Sequence, residues 1–350
     1  MNRGVFMRKE IFEGPHAVER TISECTREAE EIAGLIKEMK VNQGFIIGSG
    51  TSFHASLHLQ YLLTRYTELG FTAIPASEFN VWRPSKLSKY AIIGFSQSGE
   101  STDIVEAFKS SSENVLRFCV TNTPGSTLTR LSHKSLVTRA GEEKAVTATK
   151  TYDTQLTASY LITFSVAQSE GIDELWNELK GVPKQLEEVL KTEKKVKEVA
   201  SKYKDVKDIF VLGHSINLAT AYEASLKLKE AAMVHSEGFA VREFLHGPIQ
   251  LVDERSLVML LVPDNGSYEY SKSVINKTIS YKAPVLAILN KEIKPEVEMD
   301  TIEVPPISSL FSPLTLVKVI QLFALHLSLE KGLNPDKPTK LTKVVKESFK

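Results

Sequence analysis

One pattern occurs twice in this chain and limits what it can fold into. FIIGSGTSFHASLHL at 45 to 59 and FVLGHSINLATAYEASL at 210 to 226 each read as a short apolar run, a glycine-polar turn and a helical stretch, 165 residues apart. At the same spacing AIIGF (91 to 95) meets SLVML (256 to 260). Self-similarity at a fixed period marks a duplicated structural unit.

The rest of the chain fits that unit. Further β-rich runs stand at 71 to 76, 115 to 121, 135 to 139, 283 to 289 and 301 to 305, alternating with helical patterns at 16 to 40, 52 to 67, 101 to 110, 150 to 169, 218 to 235 and 313 to 330. Alternation of this kind predicts an α/β fold: two tandem Rossmann-like, flavodoxin-type domains, each a parallel sheet flanked by helices. Residues 177 to 205 are charged and strand-free, and are read as one or two joining helices. The expected organisation is an N-terminal helix plus first domain over 1–180, linker helices plus second domain over 181–330, and a tail over 331–350.

Composition narrows the function. Lysine plus arginine and aspartate plus glutamate both number 43, so nothing in the net charge favours nucleic acid or an anionic membrane as partner. The two cysteines, Cys25 and Cys119, read as small apolar packers in a reducing compartment. The N-terminus lacks the apolar core of a signal peptide, and the stretch 314 to 327 is interrupted by Lys318, Gln321 and His326, which predicts a cytoplasmic protein without a membrane span.

In a parallel sheet, ligands bind beyond the carboxyl ends of the strands. SQSGES (96 to 101) follows AIIGF, and GSGTS (48 to 52) follows FII. Helix N-terminal N–H groups and clustered hydroxyls can hold a phosphate without a basic side chain. Each turn alone also fits an ordinary helix cap. Neither matches the dinucleotide or P-loop pattern. The second copy has nothing like SQSGES; its strand is read as running on into VPDNGS.

These turns, with VTNTPGSTLTR (120 to 130) and AVTATKTYDTQL (145 to 156), resemble in order and spacing the first sugar-isomerase (SIS) domain of the glucosamine-6-phosphate synthase family. EASLKLKEAAMVHSEGFAVREFLHGP (223 to 248) and GLNPDKPTKLTKVV (332 to 345) are similar to that family's catalytic segments. The resemblance implies phosphate ligands at Thr51, Ser52, Ser96, Gln97, Ser98 and Ser101, and a backbone contact to the sugar from Val146. It implies a proton-transfer base at Glu230, a ring-opening histidine at His246 reaching in from a second copy of a homodimer, and a tail lysine, Lys343, at the open-chain carbonyl, as Schiff base or electrophilic acid. Glu223, Lys227 and Glu230 fall at i, i+4 and i+7 of one helix face, which on spacing alone is a surface ladder of ion pairs. With the resemblance, Glu223 and Lys227 join the substrate-binding set.

His54 and His58 share a helix face, but no third ligand accompanies them, so neither metal nor cofactor is expected. The synthase family carries a preceding glutaminase domain; this chain reaches KEIFEGPHAVE at once. The expected reaction is therefore deamination of glucosamine 6-phosphate to fructose 6-phosphate and ammonia. Phosphosugar isomerisation, fructosamine-6-phosphate cleavage, the isomerase half of a split synthase and a non-catalytic sugar-phosphate sensor remain as alternatives.

Overall fold

The computed structural model describes residues 3–85, 89–168 and 170–343. The last residues of the expected tail, 344–350, lie outside the described residues. Two compact units are present, and neither is one continuous segment. One holds residues 16–143 and 150–180 with Thr342 and Lys343; the other holds the chain up to Pro15, Lys144–Thr149 and Gly181–Leu341.

A helix, α1 (Val5–Glu38), leads the chain. The first sheet follows, with β1 (Gln43–Gly48), α2 (Thr51–Tyr66), β2 (Gly70–Pro75), α3 (Ala76–Trp82), β3 (Ala91–Phe95), α4 (Thr102–Lys109), β4 (Leu116–Thr121), α5 (Thr127–Leu131) and β5 (Lys134–Val137). Its strand order is β2-β1-β3-β4-β5, all parallel. Every residue of β3 is buried, as its unbroken apolar run requires for a strand covered on both faces. α6 (Lys150–Val166) packs on α2 and is buried from Lys150 to Phe164.

After α7 (Ile172–Leu190) and α8 (Glu193–Lys202) comes the second sheet: β6 (Asp208–Gly213), α9 (Asn217–Ala232), β7 (His235–Ala240), β8 (Ser256–Val262), α10 (Asn265–Ser280), β9 (Val285–Asn290), β10 (Asp300–Val304) and α11 (Ser312–Glu330). Its order, β7-β6-β8-β9-β10, repeats the first. The duplication is thus topological: β1 and β6, and β2 and β7, begin 165 residues apart. Gly48 and Gly213 end the paired strands for one reason. A Cβ would stand 2.5 Å from the Ser52 backbone in the first and 2.1 Å from Asn217 O in the second, so only glycine lets the helix turn back this closely.

Several elements depart from the sequence reading. α1 begins at Val5 rather than near 16, running through Pro15. Proline removes the N–H that would bond Ile11 O; in its place Lys318 Nζ, from buried α11, donates to Ile11 O at 3.3 Å. β7 was not legible because it is an edge strand with mixed burial, and α10 because its sequence is mostly polar. β8 ends at Val262, and the DNGS segment opens α10 instead of prolonging the strand. α11 is long and apolar enough to cross a bilayer, yet 94% of its apolar window is buried against α8, α9 and their sheet, which makes it the core helix of its unit.

Candidate active site

In the first sheet β1 and β3 are neighbours whose following helices lead to opposite sides, so GSGTS and SQSGES emerge beside each other at the carboxyl edge. Ser101 occupies the N-cap position of α4 but makes no side-chain bond to the helix; its Oγ lies 3.2 Å from Ser96 Oγ. Gly50 stands at the α2 N-cap and has no side chain to offer. Simple capping therefore does not account for these hydroxyls.

The SQSGES turn is held by its own polar groups. Gly99 N–H donates to Ser96 Oγ (3.1 Å) and Glu100 N–H to Ser98 Oγ (3.2 Å). Gln97 O accepts from Asn122 N (3.0 Å) and from the hydroxyls of Thr121 and Thr123 (3.2 Å each). Gly99 has φ +65, and a Cβ there would meet Ser126 Oγ at 2.1 Å. Ser52, 8% exposed, accepts from Gln155 Nε2 at 3.0 Å. Two helices on neighbouring strands thus start from hydroxyl-bearing turns, a setting suited to a phosphate.

The second sheet differs at the same place. Asp264 caps α10, accepting from Ser267 N–H at 2.7 Å and from the Ser309 hydroxyl. Burial raises the Asp264 pKa, but the bonds from Ser309 and Ser267 outweigh it and hold the carboxyl below its usual range. A fixed anion already occupies that helix N-terminus.

Lys343, in the unit of the first sheet, pairs with Glu143 at 2.7 Å. The Glu143 side chain is fully buried and also accepts from Thr151 N (3.2 Å) and Thr151 Oγ1 (2.7 Å). Sequence reasoning missed Glu143 and Gln155; the one signal was that both lie in or beside the AVTATKTYDTQL run.

The other unit carries the remaining groups. On α9, Lys227 Nζ lies 3.4 Å from Glu223 Oε1 and 2.5 Å from Glu230 Oε2. Lys227 and Glu223 side chains are 1% exposed and Glu230 is 22% exposed. The surface-ladder reading is therefore corrected, since α9 turns this face into the protein. Burial lowers the Lys227 pKa, but the two carboxylates more than offset it, and the ammonium is held above its ordinary range. Of the two carboxylates, only Glu230 is partly exposed. Val146 N–H donates to Asp336 O at 3.1 Å.

His246 ends a short 3-10 helix, Glu243–His246, and is exposed. The turn is rooted by buried Phe244, which packs on Phe210 and Phe239 with centroids 5.3 and 5.6 Å away. Among the described residues the imidazole makes no hydrogen bond or ion pair.

Of the histidine pair on α2, His58 is fully buried with neither ring nitrogen hydrogen-bonded, edge-on to Tyr160 at 4.9 Å. Desolvation pushes its pKa from 6.5 down to about 3. The unfolded chain therefore binds this proton first, and stability falls as pH drops from 6.5 towards 3. Urea unfolding should show about 2 kcal/mol less stability at pH 5 than at pH 7 from this group. His58→Phe should remove that share of the difference; an unchanged pH profile would show that His58 is not responsible.

The comparisons with known proteins agree with this geometry. The SIS domain model matches residues 39–165 and 202–331. The glutamine–fructose-6-phosphate aminotransferases [isomerizing] of Methanothermobacter thermautotrophicus and Pyrococcus horikoshii are 34% and 35% identical, each over 97% of this chain. The chain spans 57% of the length of each. The solved C-terminal domain of glucosamine-fructose-6-phosphate aminotransferase from Francisella tularensis has 26% identity and a TM-score of 0.88, covering 95% of this chain and 98% of that one. A glucosamine-6-phosphate deaminase structure from Thermotoga maritima shares the fold, with a TM-score of 0.77 and 22% identity over 97% of this chain and 99% of that one. Two matched segments and two sheets of one topology lead to one conclusion: the chain belongs to the SIS domain family.

Proposed function

We propose that the protein interconverts aldose and ketose forms of a hexosamine 6-phosphate, with deamination of glucosamine 6-phosphate to fructose 6-phosphate as its net reaction. The observation that carries this reading is the buried Glu223–Lys227–Glu230 triad, in which a fixed ammonium keeps a partly exposed carboxylate in place.

The hydroxyls of Thr51, Ser52, Ser96, Ser98 and Ser101, with the Gln97 turn, anchor the phosphate. His246 transfers a proton between the anomeric hydroxyl and the ring oxygen, opening the ring; its exposed position supports service to a second copy of the chain. Glu230 takes the C2 proton of the open aldose and returns it to C1 of the enolamine, which leaves an imine at C2. Water adds to that imine, and ammonia departs as the ketone forms. Lys343, ion-paired with buried Glu143, serves the C2 centre as a hydrogen-bonding acid or through a Schiff base.

The identity to aminotransferase relatives supports a second reading, the same chemistry run from fructose 6-phosphate and ammonia towards glucosamine 6-phosphate. Purified protein should release ammonia from glucosamine 6-phosphate, followed by coupled glutamate dehydrogenase. Folded protein that releases none, yet makes glucosamine 6-phosphate from fructose 6-phosphate and ammonium, supports the second reading; formation of glucose 6-phosphate alone supports plain isomerisation.

A further inference from the structure

The segment Asn334-Pro335-Asp336 is tied more tightly than a passing loop requires. The Asp336 carboxylate accepts from Phe6 N–H (3.2 Å) and Met7 N–H (2.8 Å), the open donors of the first turn of α1. Asn334 Oδ1 accepts from Gly4 N–H (3.3 Å) and Asp336 N–H (3.2 Å). Through its backbone oxygen the same Asp336 holds Val146 N–H, and Pro335 O holds the Thr147 hydroxyl at 3.2 Å. One turn further along α1, the Glu10 carboxylate accepts from the N–H groups of Lys144 and Ala145. Glu10 and Asp336 are 3% and 5% exposed.

We propose that Asp336 is a positioning residue. By fastening the tail turn to the first turn of α1, it fixes both the segment that presents Val146 and the start of the tail whose seventh following residue is Lys343. A helix cap alone would need only the two bonds to Phe6 and Met7. The additional main-chain bond to Val146 couples that cap to a segment of the candidate site. The catalytic part of this inference rests on the function proposed above; the structural part does not.

Two measurements on the full chain test it. Acetic anhydride labelling followed by mass spectrometry compares Lys343 with exposed Lys340. Asp336→Asn should raise Lys343 labelling roughly fivefold towards the Lys340 rate by loosening the tail locally. In turnover, Asp336→Asn should lower kcat by roughly 10- to 100-fold with KM within about threefold, as expected when a reacting group is displaced. Combined with Lys343→Ala it should cost nothing beyond Lys343→Ala alone. Should Asp336→Asn not fold, Asn334→Ala loosens the same turn and takes its place in both measurements. Unchanged Lys343 labelling, or losses that multiply in the double variant, overturns the proposal. If the wild-type protein performs none of the reactions assayed, the labelling result still decides the structural part.

Discussion

Replacing Lys227 with methionine should destabilise the protein by about 3–5 kcal/mol, because it removes the ammonium that neutralises Glu223 in a site with almost no water. Glu223 is 1% exposed, whereas Glu230, at 22%, can turn towards solvent, so the penalty falls on Glu223. Methionine preserves much of the lysine stem's volume, which separates the charge effect from a cavity. Urea unfolding at pH 7 reads the loss directly. Adding Glu223→Gln should recover a substantial part of the loss at pH 7. A cost below about 1 kcal/mol for Lys227→Met would mean that the charges are solvated, contrary to the burial described.

Glu230→Gln should lower kcat for the glucosamine 6-phosphate reaction by about 10²- to 10⁴-fold, the range for loss of a positioned general base. Glutamine keeps the side chain's size and an oxygen to accept from Lys227 Nζ, so the fold should persist, and a melting curve beside the assay verifies this. KM should change only a few-fold, since the phosphate turns lie elsewhere in the chain. Turnover within about fivefold of wild type would remove Glu230 from the proton-transfer role. Retained ligand binding with unchanged biological output would favour the sensor alternative.

Much of the architecture is legible along the chain. β3 has the bounds its apolar run suggests, and β6 and β8 contain theirs, because the inner stretch of a strand buried on both faces must be apolar. Edge strand β7 and polar helix α10 lack that signal, since they bury only part of their surface. The first eleven residues of α1 were hidden by Pro15, whose unpaired carbonyl at Ile11 is satisfied by Lys318, about 300 positions away.

The candidate site divides in the same way. SQSGES and GSGTS stood out as polar turns after strands, but their assignment to a site, like that of the KLKE helix, came from the family resemblance, since spacing alone reads as caps and a surface ladder. Glu143, Gln155 and Asp336 did not stand out, because each matters through a hydrogen bond to a distant residue.

By itself, then, the sequence determined the duplicated strand-turn-helix plan, because periodicity and glycine placement are local constraints that each segment carries on its own. Only the tertiary structure decided that Lys227 is buried between two carboxylates, that Ser101 leaves its helix uncapped, and that Asp264 fills the matching helix end in the second sheet. Burial and hydrogen-bond partners belong to groups brought together by folding, and local pattern does not encode them.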